Sequence, residues 1–430
     1  MKILYVCHRF PFPPNRGGKI RPFNQIRHLS LRHEVTVASI ARSASEARQG
    51  EGLASHCAHY EMGRVRDSIQ ALRMVARLPT PTPSSMGYFY SRDLQSRIRT
   101  LHARQHYDLI FVHCSSVAQY VANISDAAKV LDFGDMDSQK WLEYADYKPF
   151  PLSTGYWWEG KKLELEERRL ACQFDFCTAT TRAELATLNE LAPGIASDWF
   201  PNGVDHQFFS PDGTDYDSDV ISFVGRMDYY PNQECMLRFC KEVLPRIQTQ
   251  RPSAKLFIVG ADPVPAIRKL SELPGVTVTG SVPDVRPFVR RTAVMAAPLA
   301  IARGTQNKIL EAMAMGVPVV TTTLAALGVD AVKDDHLLVA DDAVSCAQAI
   351  LKVMQDRSER QRLSETGRAR VMSHHHWPNS MRRLDAILGQ AMVRYRERLT
   401  STVGDVLDRP GTARLKTDQE QQTSVRGNRA

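Results

Sequence analysis

The chain has 430 residues, too many for one ordinary core and suited to two domains of about 150–200 residues. Its 43% hydrophobic and 24% charged content is that of a soluble globular protein, which excludes a disordered or fibrous chain. The net charge of +8 comes without a nucleic-acid reader motif, and no apolar run approaches roughly 18 residues, so neither a nucleic-acid partner nor a transmembrane helix is expected.

In chain order, the start MKILYVCHRF reads as a first strand, KILYVCH (2–8), and not as a signal peptide. A loop with Gly17 and Gly18 follows, then a helical pattern over 19–32 and a strand, EVTVASI (34–40). From Arg64 to Arg104 eight arginines face two acids, Asp67 and Asp93. Within RVRDSIQALRMVARL, Val65, Ile69, Leu72, Val75 and Leu78 recur near helical spacing. Such a segment suits either an anionic membrane surface or a solvated helix face packed on its own domain. Strands DLIFVHC (108–114), KVLDFG (129–134) and DFCTAT (175–180) come next, with a helix over 158–173. The turn-rich FPNGVD (200–205) and the polar SPDGTDYDSD (210–219) mark a linker.

The alternation then restarts: VISFVGR (220–226), a helix over 233–247, KLFIVG (255–260), VTVTG (276–280), VMAAPL (294–299), VPVVTTT (317–323) and LLVADD (337–342). Helices over 343–355 and 358–372 follow. The reading is α/β: two Rossmann-like, doubly wound halves, 1–205 and 206–376, facing a cleft. A last helix over 377–397 and a disordered tail over 398–430 complete it. The eight cysteines have no metal-ligand spacing and read as reduced, buried thiols.

Sites in such halves lie beyond the carboxyl ends of the strands. After VMAAPL, a loop leads into the helix NKILEAMA, so the amides of Gly304, Thr305 and Gln306, with Asn307, stand at a helix N-terminus that favours a phosphate. Lys308 adds charge. Glu311, one turn in, suits a vicinal diol such as a ribose. An ordinary capped helix is the alternative, although a first-turn acid contributes only about 0.3–1 kcal/mol to one. In the first half, Gly17-Gly18 permits close backbone approach, and His113 ends a strand on the cleft side. Asp135-x-Asp137 mimics a metal-binding pair, but reads better as an acceptor-side loop with Ser138 capping the next helix. The three histidines of HHHW (374–377) point in different directions on a helix and read as a turn, not a metal site.

The stretch NKILEAMAMGVPVV resembles the signature of family 4 glycosyltransferases, which have the GT-B fold of two Rossmann-like halves. The likeness extends over most of 1–395 through Gly17-Gly18, His113, PNGVD and FVGRMDYYPN. CHRFPFPPNRGGKIR, MDYYPN and NKILEAMA together resemble the sugar transferases of bacterial exopolysaccharide and exosortase (PEP-CTERM) systems. The resemblance implies a cytoplasmic, hexosyltransferase-type enzyme that transfers a sugar with retention from a nucleotide-sugar donor to a glycan or lipid-linked acceptor. No cofactor and no metal are implied. It places Glu311 on the ribose, Gly304 and Thr305 on the diphosphate, Arg226 on the leaving group, His113 near the reacting sugar and Gly17-Gly18 near the phosphates. Two positions depart from the pattern. Arg303 stands where the family has its first glutamate, and either makes a salt bridge or meets an acidic donor sugar. Pro231 replaces the usual lysine, a charge that Lys308 is expected to supply. A nucleotide-sugar epimerase and a non-catalytic scaffold remain as rivals, and peripheral contact with an anionic inner membrane stays open.

Overall fold

The structure, a computed structural model, describes residues 1–407. The first half holds a seven-stranded sheet: β1 (Lys2–Cys7), β2 (Glu34–Ala41), β3 (His59–Arg64), β4 (Leu109–His113), β5 (Ala128–Gly134), β6 (Phe176–Ala179) and β7 (Ser197–Trp199). Its order is β3-β2-β1-β4-β5-β6-β7, and every pairing is parallel. The second half holds β8 (Asp217–Val224), β9 (Lys255–Val259), β10 (Val276–Gly280), β11 (Thr292–Ala297), β12 (Val319–Thr321) and β13 (Leu338–Val339), in the order β10-β9-β8-β11-β12-β13. These pairings are parallel too.

The central strands are covered on both faces, which is why they read as continuous apolar runs: β4 is buried along its whole length, and so is β5. The two strands not foreseen from sequence, β3 and β7, lie at the sheet's edges. In β3 only Gly63 is buried, so HYEMGR shows no apolar run to recognise; β7 is three residues long.

The last helix runs Trp377–Leu407 instead of ending at 397, so residues 398–407 are helical and not tail; the rest of the expected tail lies outside the described residues. Its Leu384, Ile387, Leu388 and Ala391 pack into the first half's core with Ile3, Tyr5 and Phe111. The chain thus crosses between the halves twice, and the crossings are tied together. Val204 N–H donates to His375 O at 2.8 Å, and the His375 ring lies against the carbonyl oxygens of Asn202 (3.0 Å) and Val329 (2.7 Å). His375 is therefore a buried joint of the backbone. All eight cysteines are free; Cys172 is exposed, unlike the buried thiols expected, and Cys57 is half-buried.

Candidate active site

In each sheet the strand order reverses once, between β1 and β4 in the first half and between β8 and β11 in the second. The cleft is built from the loops beyond these strands.

On the second-half wall, β8 runs into Gly225 and Arg226. Only glycine serves at 260: its φ is +151°, and a Cβ there would lie 1.9 Å from Gly225 O. A Cβ on Gly225 would in turn meet Asn232 Nδ2 at 2.6 Å and Lys308 Nζ at 3.3 Å. Asn232 joins the parts, donating Nδ2–H to Arg226 O (2.8 Å) and accepting from Lys308 Nζ (2.5 Å). It stands beside Pro231 and so brings the Lys308 ammonium to that neighbourhood. Burial lowers the Lys308 pKa to about 8, against the pull of Cys235 and Glu311. Arg226 is held by Asp228 (2.8 Å) and by Asp262, and would have to exchange a carboxylate to reach a ligand.

The helix Asn307–Ala314 opens from Gln306, whose side chain does not cap it. Instead Gln306 Nε2 donates to Arg303 O at 3.0 Å. Among the described residues, the amides of Gly304, Thr305 and Gln306 have no protein acceptor. Thr305 Oγ1 and Asn307 Oδ1 are buried without a partner among the described residues. The Glu311 carboxylate accepts no hydrogen bond among the described residues either; burial pushes its pKa up to about 7, while Lys308 draws it down. Three unused amides, two orphaned side-chain oxygens and an open carboxylate, from the loop at Gly304 to the second helical turn at Glu311, form a set of ligand groups without partners among the described residues.

On the first-half wall, His113 ends β4 and its Nδ1 meets Asp132 Oδ2 at 3.0 Å. Asp132, fully buried in β5, also accepts from Arg21 (2.8 and 3.1 Å), Gln25 (2.9 Å) and Thr178 (2.9 Å). Burial would raise its carboxyl, but Arg21 and His113 hold it well below the usual range. His113 is thereby fixed in orientation, and its Nε2 keeps no protein partner among the described residues. The His8 ring lies 5.7 Å from that of His113. Burial, then Arg9 and His113, keep His8 neutral. The Arg9 guanidinium, against Gly18, makes no hydrogen bond or ion pair among the described residues. Gly17 faces Asn307 across the cleft: a Cβ on it would lie 3.7 Å from Asn307 Nδ2.

The remaining expected residues sort differently. Asp135 accepts from Thr180 Oγ1 (2.9 Å) and crowds Gly304, where a Cβ would lie 1.8 Å from Asp135 Oδ1; Gly304 has a φ of +61°. Asp137 opens the helix Asp137–Asp146 and is half-buried beside Lys140 (4.0 Å). Ser138 is not the cap. It is wholly buried inside the first turn, its N–H donating to Glu167 (3.2 Å), while Met136 N–H donates to Glu184 (2.7 Å). A side chain so placed cannot line an acceptor site. Arg303 makes salt bridges across the cleft, to Glu143 (2.5 Å) and Glu184 (3.6 Å) of the first half. Tyr144–Tyr229 (3.2 Å) and Tyr147 to Ala300 O (3.3 Å) bridge the same side.

His8, Arg9, Arg21 and Asp132 were not singled out from sequence. His8 had the strand-end signal that marked His113; Arg21 and Asp132 are 111 residues apart, and nothing local pairs them.

Residues 218–356 match the protein family described as glycosyl transferases group 1. No curated protein matches the chain. Among solved structures it is similar to HepE of Anabaena in complex with UDP and glucose, with a TM-score of 0.65 and 15% identity over 90% of this chain and 99% of that one. It is similar also to sucrose-phosphate synthase of Thermosynechococcus elongatus (TM-score 0.64, 17% identity, 93% and 100% coverage). A third such structure is TarM (TM-score 0.64, 8% identity, 90% and 98% coverage). These likenesses show the fold: the two sheets and their helices form the GT-B architecture, and its second half carries the matched glycosyltransferase domain.

Proposed function

We propose that the chain is a retaining glycosyltransferase of exopolysaccharide synthesis, moving a hexose from a nucleotide-sugar to a glycan or lipid-linked acceptor. The observation that carries this reading is Glu311, a half-buried carboxylate without a hydrogen bond among the described residues, one turn behind three unused amides and beside Lys308. Ribose hydroxyls would donate to Glu311, and the diphosphate would take the amides of Gly304, Thr305 and Gln306. The matched domain at 218–356 and the UDP-bound structural neighbour support a nucleotide there.

As the sugar–phosphate bond breaks, negative charge collects on the departing phosphate. Fixed donors aimed at it stabilise the transition state, and Lys308, the amides and Arg226 fill that role without a metal. The acceptor oxygen bonds to the sugar carbon on the face the phosphate leaves, and its proton passes to the departing phosphate oxygen. His113, fixed by Asp132, presents Nε2 to the sugar. Asp135 and Asp137 border the acceptor side.

A thermal-shift panel of UDP-, GDP-, ADP- and TDP-sugars tests the reading. A ligand at about 100 times its Kd stabilises the folded protein by about 2.7 kcal/mol. One nucleotide class should raise the melting temperature of wild type and not of Glu311→Ala. No shift with any sugar nucleotide, or an equal shift in the variant, refutes it.

A further inference from the structure

The helix Asp67–Arg77 is inverted relative to a helix that packs on its own domain. Gln70 points inward, 1% exposed, donating to Tyr90 O (3.0 Å) and accepting from Arg73 (3.0 Å). Its apolar residues point outward: Leu72 is 71% exposed and Val75 62%, with Ile69 beside them. A helix that buries its apolar face in its own core would turn the other way.

A second element continues the surface. Phe150, 82% exposed, precedes the helix Leu152–Ala171, which carries Trp157 and Trp158 on its outside. Trp158 Nε1 donates to Leu78 O at 3.2 Å and joins the two helices. Beneath them Lys162 is buried, paired with Glu159 (3.0 Å) and donating to Arg77 O and Thr82 O (both 3.3 Å). The outward face is thus fixed by the protein's own hydrogen bonds and is not a frayed end.

Charge selects the occupant. Arg64, Arg66 and Arg73 are exposed on and just before the apolar helix. The one acid in this helix, Asp67, is already paired with Arg42 at 2.9 Å. Exposed arginines on the same element as exposed aliphatic side chains, with tryptophans on the joined helix, match a lipid headgroup layer, with indoles at the interface and guanidinium groups on phosphates. A second copy meeting the same face would oppose arginine with arginine. Among the described residues no helix is long and apolar enough to cross a membrane, so a contact here lies on the surface.

We propose that this face, Ile69, Leu72, Val75, Phe150, Trp157 and Trp158 with Arg64, Arg66 and Arg73 on and just before the apolar helix, docks on a bilayer containing anionic lipid. Tyr147 and Lys148, just before Phe150, touch the second half at Ala300 and Tyr230. Docking therefore sets one rim of the cleft at the lipid interface. Delivery of a lipid-linked acceptor to that rim rests on the transferase reading above; the docking does not.

The test is flotation of the full chain with vesicles of phosphatidylcholine containing about one-third phosphatidylglycerol, against phosphatidylcholine alone. Wild type should float with the anionic vesicles, less so as salt rises. Leu72→Glu with Val75→Glu, and separately Arg64→Gln with Arg66→Gln and Arg73→Gln, should weaken partitioning by about tenfold or more. Unchanged melting temperatures would show that the folds are intact, since these side chains are exposed. No flotation of wild type, or equal flotation of both variants, overturns the proposal. So does a wild-type dimer that Leu72→Glu with Val75→Glu dissociates, since the occupant is then a second copy. If flotation behaves as expected but no sugar nucleotide shifts the melt, the transferase reading fails alone.

Discussion

Replacing Arg303 by methionine removes the cation facing Glu143 and Glu184 across the cleft. Glu184 also feels Asp135, and burial raises the carboxyls of all three acids. At about 4 Å and an effective dielectric of about 20, one unit pair attracts by about 4 kcal/mol. The side chains of Arg303 and Glu143 are 25% and 23% exposed, so solvent screening and lost hydration leave roughly 1–2 kcal/mol net for the closed arrangement. A double-mutant cycle of Arg303→Met and Glu143→Gln, read by urea unfolding, should give a coupling of that size. X-ray scattering should show a larger radius of gyration for Arg303→Met. Additivity within about 0.5 kcal/mol with an unchanged radius would refute the cross-cleft role. Selective loss of uronic-acid donors over neutral ones would assign Arg303 to the substrate instead.

Donor binding should be bell-shaped in pH. Below about 7 the Glu311 carboxyl protonates and loses acceptor strength, and above about 8 Lys308 loses its charge, so affinity peaks between, as titration calorimetry will show. Lys308→Ala should lower kcat by about 10²–10³-fold if it meets the departing phosphate; turnover and donor affinity equal to wild type would remove it from the site. Glu167 is buried with Oε2 unpartnered, and burial raises its pKa from 4.5 to about 8. The folded state then holds a proton that the unfolded chain releases, so its stability contribution is full below pH 4.5 and is lost as pH rises to about 8. At about 1.4 kcal/mol per unit the loss is at most ~5 kcal/mol. Melts across that window should fall for wild type and flatten for Glu167→Gln.

The legible parts of this protein are those where physics is local. Buried parallel strands carry unbroken apolar runs, so β1, β4, β5, β8 and β11 are visible, and the Gly-Thr-Gln loop before a small-residue helix puts Lys308 and Glu311 on one helix behind a phosphate-favouring N-terminus. Edge strands lack that run: β3 buries one residue, and neither it nor β7 was seen. Ser138 was misplaced because capping by its own side chain is the local default, whereas Glu167 supplies the partner from 29 residues away.

By itself the sequence determined the two-half α/β architecture and set Gly304, Lys308 and Glu311 along one loop and helix, since both rest on local periodicity and spacing. Tertiary structure alone decided the rest. It sent Arg303 across to Glu143, tied His113 through Asp132 to Arg21, and turned the apolar face of Asp67–Arg77 outward. Each depends on which distant surfaces meet, and a helix's periodicity states that it has an apolar face without stating what that face will touch.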